Sequence, residues 1–176
     1  IIRGTLRPDI DLNRQIRRRL KREDEVDPNQ SPILDVPCSW LMLDIDKVAL
    51  PEGTDVVKDT TAAINYLISR LPEEFHSASY IWHLSSSCGV RDTSSVSAHL
   101  FFWLSEPWSN EHLRNWASGV KLIDPAVFRA VQPLYIANPT FDGLDDPIQG
   151  PRMGFVRAEA DSVTINYEPT TEQFRS

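Results

Sequence analysis

Cysteine is nearly absent from this 176-residue chain: only Cys38 and Cys88 occur, and they form no Cys-x-x-Cys pair. That scarcity excludes a disulfide framework and points to free thiols in a reducing intracellular compartment, so a cytoplasmic location is expected. No apolar run is long enough for a transmembrane helix, and no secretory h-region is present. Internal repeats and low-complexity tracts are missing too. The chain also lacks a His-x-His pair, which a rolling-circle endonuclease would need, and a convincing context for a nucleophilic tyrosine. The first residue is Ile rather than Met, which suggests a domain excised from a longer polypeptide. What is present suffices for one globular domain: 41% of the residues are hydrophobic, enough for a sizeable core, and a second full domain is not expected.

Charge is unevenly spread. Residues 1–24 hold eight Lys or Arg against four acids, and the remainder hold ten against twenty-one, giving net charges of +4 and −11. The basic run Arg14, Arg17, Arg18, Arg19, Lys21 and Arg22 falls on a short amphipathic helix expected over residues 12–23. Such a run can contact nucleic acid, although a solvated helix face is its commoner explanation. An acidic, Asn/Gln/Pro-bearing stretch follows to Pro37. Residues 1–37 therefore read as a basic helix and linker, and residues 38–176 as the body. An acidic body argues against extensive nonspecific duplex binding, but it leaves room for a small basic groove or for an acidic pocket whose metals bring in a nucleotide.

The body opens with Trp40-Leu-Met-Leu-Asp-Ile-Asp-Lys-Val48, an apolar strand-like run carrying Asp44 and Asp46. Residues i and i+2 of an extended strand share a face, so two like charges would stand together on a largely buried surface. That arrangement is most easily tolerated with a cation between them, and a divalent metal site follows. The plainer reading is that Asp44 ends the strand and Asp46 opens the loop toward Pro51 and Gly53. Downstream, spacing predicts a helix over 55–71, stopped by Pro72, and aromatic-rich strands over 79–85 and 97–104. Ser109 suits the N-cap of a helix running to Ser118, with Gly119 as its left-handed terminus. Asp124 before Pro125 suits the start of another short helix. Strands are expected at 133–137, 152–157 and 162–167. This order of elements predicts an α+β domain with a mixed or antiparallel sheet.

Ser97 and His99 also lie two apart, opposite in facing to Leu100, Phe102 and Leu104. A histidine on such a strand is often only a hydrogen-bonded core residue. His83 is expected to be structural or next to the site, and His76 and His112 to be exposed near helix ends. Trp103, Trp108 and Trp116 are expected in the core; the spacing lends no support to the alternative that one aromatic stacks on a base.

Taken in order, Asp44-x-Asp46, Ser97-x-His99 and Ile123-Asp124 resemble the archaeo-eukaryotic primase superfamily, including the primase-polymerases of phages, plasmids and mobile elements. The likeness covers residues 39 to 155 and includes Ser85-Ser-Ser-Cys-Gly89 and Asp124-Pro-Ala-Val-Phe128 with Gln132. It implies a primase-type catalytic core with an RRM-like palm flanked by helices. It also implies a bacterial, phage or mobile-element origin and two-metal nucleotidyl transfer, with Asp44, Asp46 and Asp124 as catalytic metal ligands. Oxygen ligands of this kind suit Mg²⁺ or Mn²⁺. By the same resemblance Ser97 and His99 contact the nucleotide triphosphate, with Arg91 and Arg152 as further phosphate partners. Asp124 has the plainer role of a helix N-cap. The implied partners are a single-stranded DNA template, nucleoside triphosphates, and a helicase domain or partner; no membrane partner is expected.

Two other readings compete. Leu43-Asp-Ile-Asp-Lys-Val also looks like the first motif of haloacid dehalogenase-type phosphatases, with Asp44 as nucleophile, Asp46 as general acid and Asp145-Asp146 as a late acidic pair. That reading leaves Ser97-x-His99 unexplained. A non-catalytic nucleic-acid-binding module of a replication initiator is the third, but a pure binder gains nothing from burying three carboxylates.

Overall fold

The computed structural model describes residues 1–11, 13 and 32–167, so the basic helix expected over 12–23 and most of the linker lie outside the described residues. Within them the chain is a small α+β protein with two antiparallel sheets and two α-helices. Strands β1 (Thr5–Leu6) and β2 (Ile33–Leu34) form a two-stranded ribbon. The main sheet contains β3 (Cys38–Ala49), β4 (Tyr80–Leu84), β5 (Ser95–Trp108) and β6 (Met153–Val156) in the spatial order β3-β5-β4-β6. Because β3 and β4 both run antiparallel to β5, they are parallel to each other. The connection between them carries helix α1 (Thr60–Arg70), and helix α2 (Asn110–Ala117) follows β5.

Strand alternation divides the sheet into two faces. One is apolar: Leu41, Leu43 and Ile45 of β3 pair beside Phe102, Leu100 and Ala98 of β5, and Ala63, Ile64, Leu67 and Ile68 of α1 belong to the same buried cluster. Phe75 continues this core, edge-on to Phe102 at 4.9 Å and stacked on Trp116 at 5.6 Å. Gly154 is required here, because a Cβ would sit 2.6 Å from the indole of Trp82. The opposite, outer face carries Met42, Asp44, His99, Phe101, Trp103, Ile81, His83, Met153 and Phe155.

Several local expectations are corrected. Helix α1 starts at Thr60 rather than 55, because the Asp55 carboxylate accepts from the N–H groups of Val57 and Lys58 and from the Thr93 hydroxyl, a local turn that competes with helix. Asp59 then caps it through the Ala62 N–H at 2.9 Å. Ser109 caps α2 as expected, but Ser118 ends it in a right-handed conformation and Gly119 has no positive φ. The short helix after Asp124 is a single 3-10 turn, Pro125–Val127. Residues 133–137 form no strand; Leu134 instead exchanges backbone hydrogen bonds with Ile1. Residues 162–167 add one isolated bridge, Val163 to Leu104, beyond the end of β4. Trp116 is buried and Trp108 half-buried, but Trp103 is 63% exposed, since its position in β5 places it on the outer face. His112 is half-buried against Trp108 rather than exposed.

The N-terminal residues belong to the body. Arg3 is 2% exposed, and its guanidinium donates to the carbonyls of Trp40, Cys38 and Trp108 and to Asn110 Oδ1 at 2.6–3.1 Å.

Candidate active site

Asp44 and Asp46 both lie inside β3, which runs on to Ala49, so Asp44 does not end the strand. Their setting is less regular than strict alternation. Asp44 pairs with His99 and Ile45 with Ala98, but Val48 pairs with Val96, so Asp46 and Lys47 together oppose Ser97. Two residues facing one is a β-bulge, and Lys47 takes the left-handed φ of +50° within it. Ser97 holds the bulge. Its Oγ accepts from the Lys47 N–H at 2.8 Å and donates to Asp46 Oδ1 at 2.7 Å. The motifs Asp-x-Asp and Ser-x-His thus interlock: Ser97 orients Asp46, and His99 Nε2 stands 3.5 Å from Asp44 Oδ1.

Asp124 arrives from the other side. Its N–H donates to the Asp44 carbonyl at 3.3 Å, and its Oδ1 caps the following 3-10 turn through the Ala126 N–H at 2.8 Å. The N-cap role and a place at the site therefore coexist. Asp44, Asp46 and Asp124 line one cleft of about 470 Å³ together with Ser85, Ser87 and Lys121. Burial pushes the Asp44 carboxyl above its ordinary pKa; the facing His99 opposes that shift, and the like charges of Asp124 and Asp46 add to it. Among the described residues no three His, Cys, Asp or Glu side chains converge closely enough to hold a metal ion as they stand. The donor chemistry nonetheless fits a hard cation: three carboxylates line one cleft, and burial, reinforced by the charges of Asp124 and Asp46, raises the pKa of Asp44.

A second cavity, of about 740 Å³, adjoins the acidic cleft at Ser87 and across Lys47 and Ser97. Arg91, Ser86, Ser95 and Phe141 also line it. The loop forming its wall is held from beneath by Arg152, which is 3% exposed. Arg152 makes a two-pronged pair with Asp146 at 2.6 and 2.7 Å and donates to the carbonyls of Ser85 and Cys88 at 3.0 and 3.3 Å. Gly89, at φ +78°, passes close over Ile148 and Val57 in the same loop. Arg152 thus supports the loop from behind, whereas Arg91 and Lys47 line the open cavity. Asp146 is engaged by Arg152, whose hydrogen bonds hold the Asp146 carboxyl below the usual carboxylate range. Neither Asp145 nor Asp146 lines the cleft of Asp44 and Asp46.

On the other side of Asp44 a smaller cleft of about 200 Å³ includes His99, Arg129, Gln132 and Tyr135. His83 stands across β5 from Asp44, paired with His99, with ring centroids 5.9 Å apart. It is 3% exposed, and neither ring nitrogen meets a partner in hydrogen-bond geometry. Burial, then the neighbouring His99, pushes its pKa down against a smaller opposing influence of the Asn138 side chain.

No family model, curated protein or solved structure matches this chain. The site is therefore read from its own geometry. Sequence reasoning singled out Asp44, Asp46, Asp124, Ser97, His99, Arg91 and Arg152; the first six line these clefts or bond within them, whereas Arg152 lines none of them and is taken up by Asp146 and the carbonyls of Ser85 and Cys88. It missed Lys47, Lys121 and Arg129. Lys47 stood next to Asp46 in the motif, but only the bulge directs it to the cavity; Lys121 and Arg129 carry no pattern of their own.

Proposed function

We propose that this chain is a catalytic domain for template-directed nucleotidyl transfer, of the primase or primase-polymerase kind, acting with nucleoside triphosphates on a single-stranded DNA template. The observation that carries the reading is the interlocked cluster: two carboxylates of β3 and a third from the distant Asp124 line one cleft, with Ser97 bonded to Asp46 and His99 facing Asp44. A phosphatase of the haloacid dehalogenase type has less support, because its late acidic partner Asp146 is held by Arg152 away from the cleft.

In this reading Asp44, Asp46 and Asp124 hold Mg²⁺ or Mn²⁺. When bound, such ions lower the pKa of an attacking hydroxyl and neutralise charge on the leaving group. The primer 3′-hydroxyl gives its proton to solvent, its oxygen bonds to the α-phosphorus as the bond from that phosphorus to the β-phosphate oxygen breaks, and pyrophosphate leaves. Ser97 keeps Asp46 in its ligating direction. His99 donates from Nε2 toward the triphosphate, and Lys47 and Arg91 offer positive charge along the neighbouring cavity. The site needs little else, since phosphoryl transfer is achieved mainly by positioning and electrostatic stabilisation. A helicase domain or partner would suit such an activity in replication.

The test is incubation with single-stranded DNA, labelled ribo- or deoxynucleotides and Mn²⁺ or Mg²⁺, with and without primer. Wild type is expected to give metal-dependent product, and Asp44→Ala/Asp46→Ala to lose it by a factor of roughly 10³ or more while keeping its fold by circular dichroism. Near-normal synthesis in the double variant would remove these residues from the metal site. Absence of product from wild type under every condition would sink the activity.

A further inference from the structure

Beyond the row of Asp44, His99 and His83, the outer face of the sheet is apolar and exposed. Trp103 is 63% exposed, Phe155 65%, Met153 49% and Ile81 42%, and all four stand on this one face. Soluble proteins rarely display such a contiguous patch without something that covers it. A groove of about 410 Å³ runs along it between Trp40, Phe101, Trp103 and Ile136, with His83 in its floor.

We propose that this face binds single-stranded nucleic acid, with bases stacked on Trp103 and Phe155. Three observations select that occupant. The first is architecture: a four-stranded antiparallel sheet has helices on one face and, on the other, Trp103 on β5 and Phe155 on β6 with only β4 between them, so flat π surfaces are offered to unpaired bases of one strand. The second is continuity with the candidate site. The strand register sets Asp44, His99, His83 and Met153 in one row and Met42, Phe101, Ile81 and Phe155 in the next. Trp103 is four residues from His99 along β5, about 13 Å. Tyr135, 73% exposed, lines the Asp44 cleft, and its neighbour Ile136 lines the apolar groove. The third is charge. The overall chain is acidic, yet the aromatic part of this face carries no carboxylate, and the exposed Arg129 and Arg157 stand at its margins, the first in the Asp44 cleft and the second two residues beyond Phe155. A strand lying along these rows would lead its bases to the carboxylates; calling it the template rests on the nucleotidyl-transfer reading.

The experiment measures binding of a labelled oligothymidylate to the full chain by fluorescence anisotropy, in EDTA at fixed salt, so that catalysis plays no part. Trp103→Ala/Phe155→Ala is expected to raise Kd roughly ten- to a hundredfold, and Trp103→Tyr/Phe155→Tyr to keep it within about threefold of wild type, because both side chains are largely solvent-facing and stacking survives on any flat ring. An unchanged Kd in the double alanine variant overturns the proposal. So does a wild-type dimer that the alanine variant converts to monomer without loss of oligonucleotide binding, which would give the face to a second copy. Primer extension on the same proteins separates the two readings. Oligonucleotide binding that depends on Trp103, with no synthesis by wild type, keeps this face and removes the catalytic assignment. Synthesis by the alanine variant with an unchanged template KM removes this face alone.

Discussion

Asp44 ionises less readily than an ordinary aspartate because burial strips water from it, an effect that His99 opposes and that the charges of Asp124 and Asp46 reinforce. Its folded pKa lies above its unfolded one. Ionised Asp44 therefore costs stability at neutral pH, and the cost disappears as pH falls through the folded pKa toward the ordinary carboxylate value near 3.9. Asp44→Asn is expected to raise the metal-free Tm by a few degrees at pH 7 and to leave it unchanged near pH 4, as measured by differential scanning fluorimetry. A lower Tm at pH 7 would show that the His99 pair outweighs the repulsion. The presence of these acids was legible in the sequence, since two carboxylates in an apolar run are conspicuous. Their grouping with Asp124 came only from the family resemblance, and the bond that joins them, 3.3 Å from the Asp124 N–H to the Asp44 carbonyl, links residues too far apart in the chain for any local pattern to show.

Among the elements, β3 and β5 show how much alternation foretells and where it stops. The polar positions 44, 97 and 99 and the apolar positions 100, 102 and 104 fall on the faces that period-two spacing assigns. The bulge at Asp46 and Lys47 has no such signature, because it arises from the register between two strands rather than from either one alone. Ser97 is its pin. Ser97→Ala leaves the Lys47 N–H and one Asp46 oxygen without their partner, and it is expected to lower stability by about 1–2 kcal/mol in urea unfolding. Synthesis should fall mainly in kcat, because Asp46 loses its direction while the cations of the neighbouring cavity remain. Unaltered kcat with reduced stability would make Ser97 a purely structural residue. The helix start at Thr60 and the missing strand at 133–137 have a similar origin: Asp55 finds Thr93, and Leu134 finds Ile1, across distances that a local window does not span.

For the molecule as a whole, Arg3 is the clearest surprise. It sits in a stretch that reads as a basic extension, yet its buried guanidinium ties the start of β3 to the end of β5 and to α2 through Asn110. Burial also pushes its pKa below the usual arginine value. Arg3→Ala leaves three carbonyls and the Asn110 side chain short of a donor, and a loss of about 3 kcal/mol is expected from denaturant unfolding. A loss below about 1 kcal/mol would mean that water replaces the guanidinium freely. Among the described residues no helix is long and apolar enough to cross a membrane. By itself the sequence determined the α+β class, the apolar face of the sheet and the chemistry-bearing side chains, because hydrophobic period and residue type are local properties. Only the tertiary structure decided that Arg152 holds a loop from behind, that Lys47 faces a cavity, and that Trp103 stands in the open. Each of those depends on which strands pair and in what register, and a long-range pairing is set by the whole packed core rather than by any one segment.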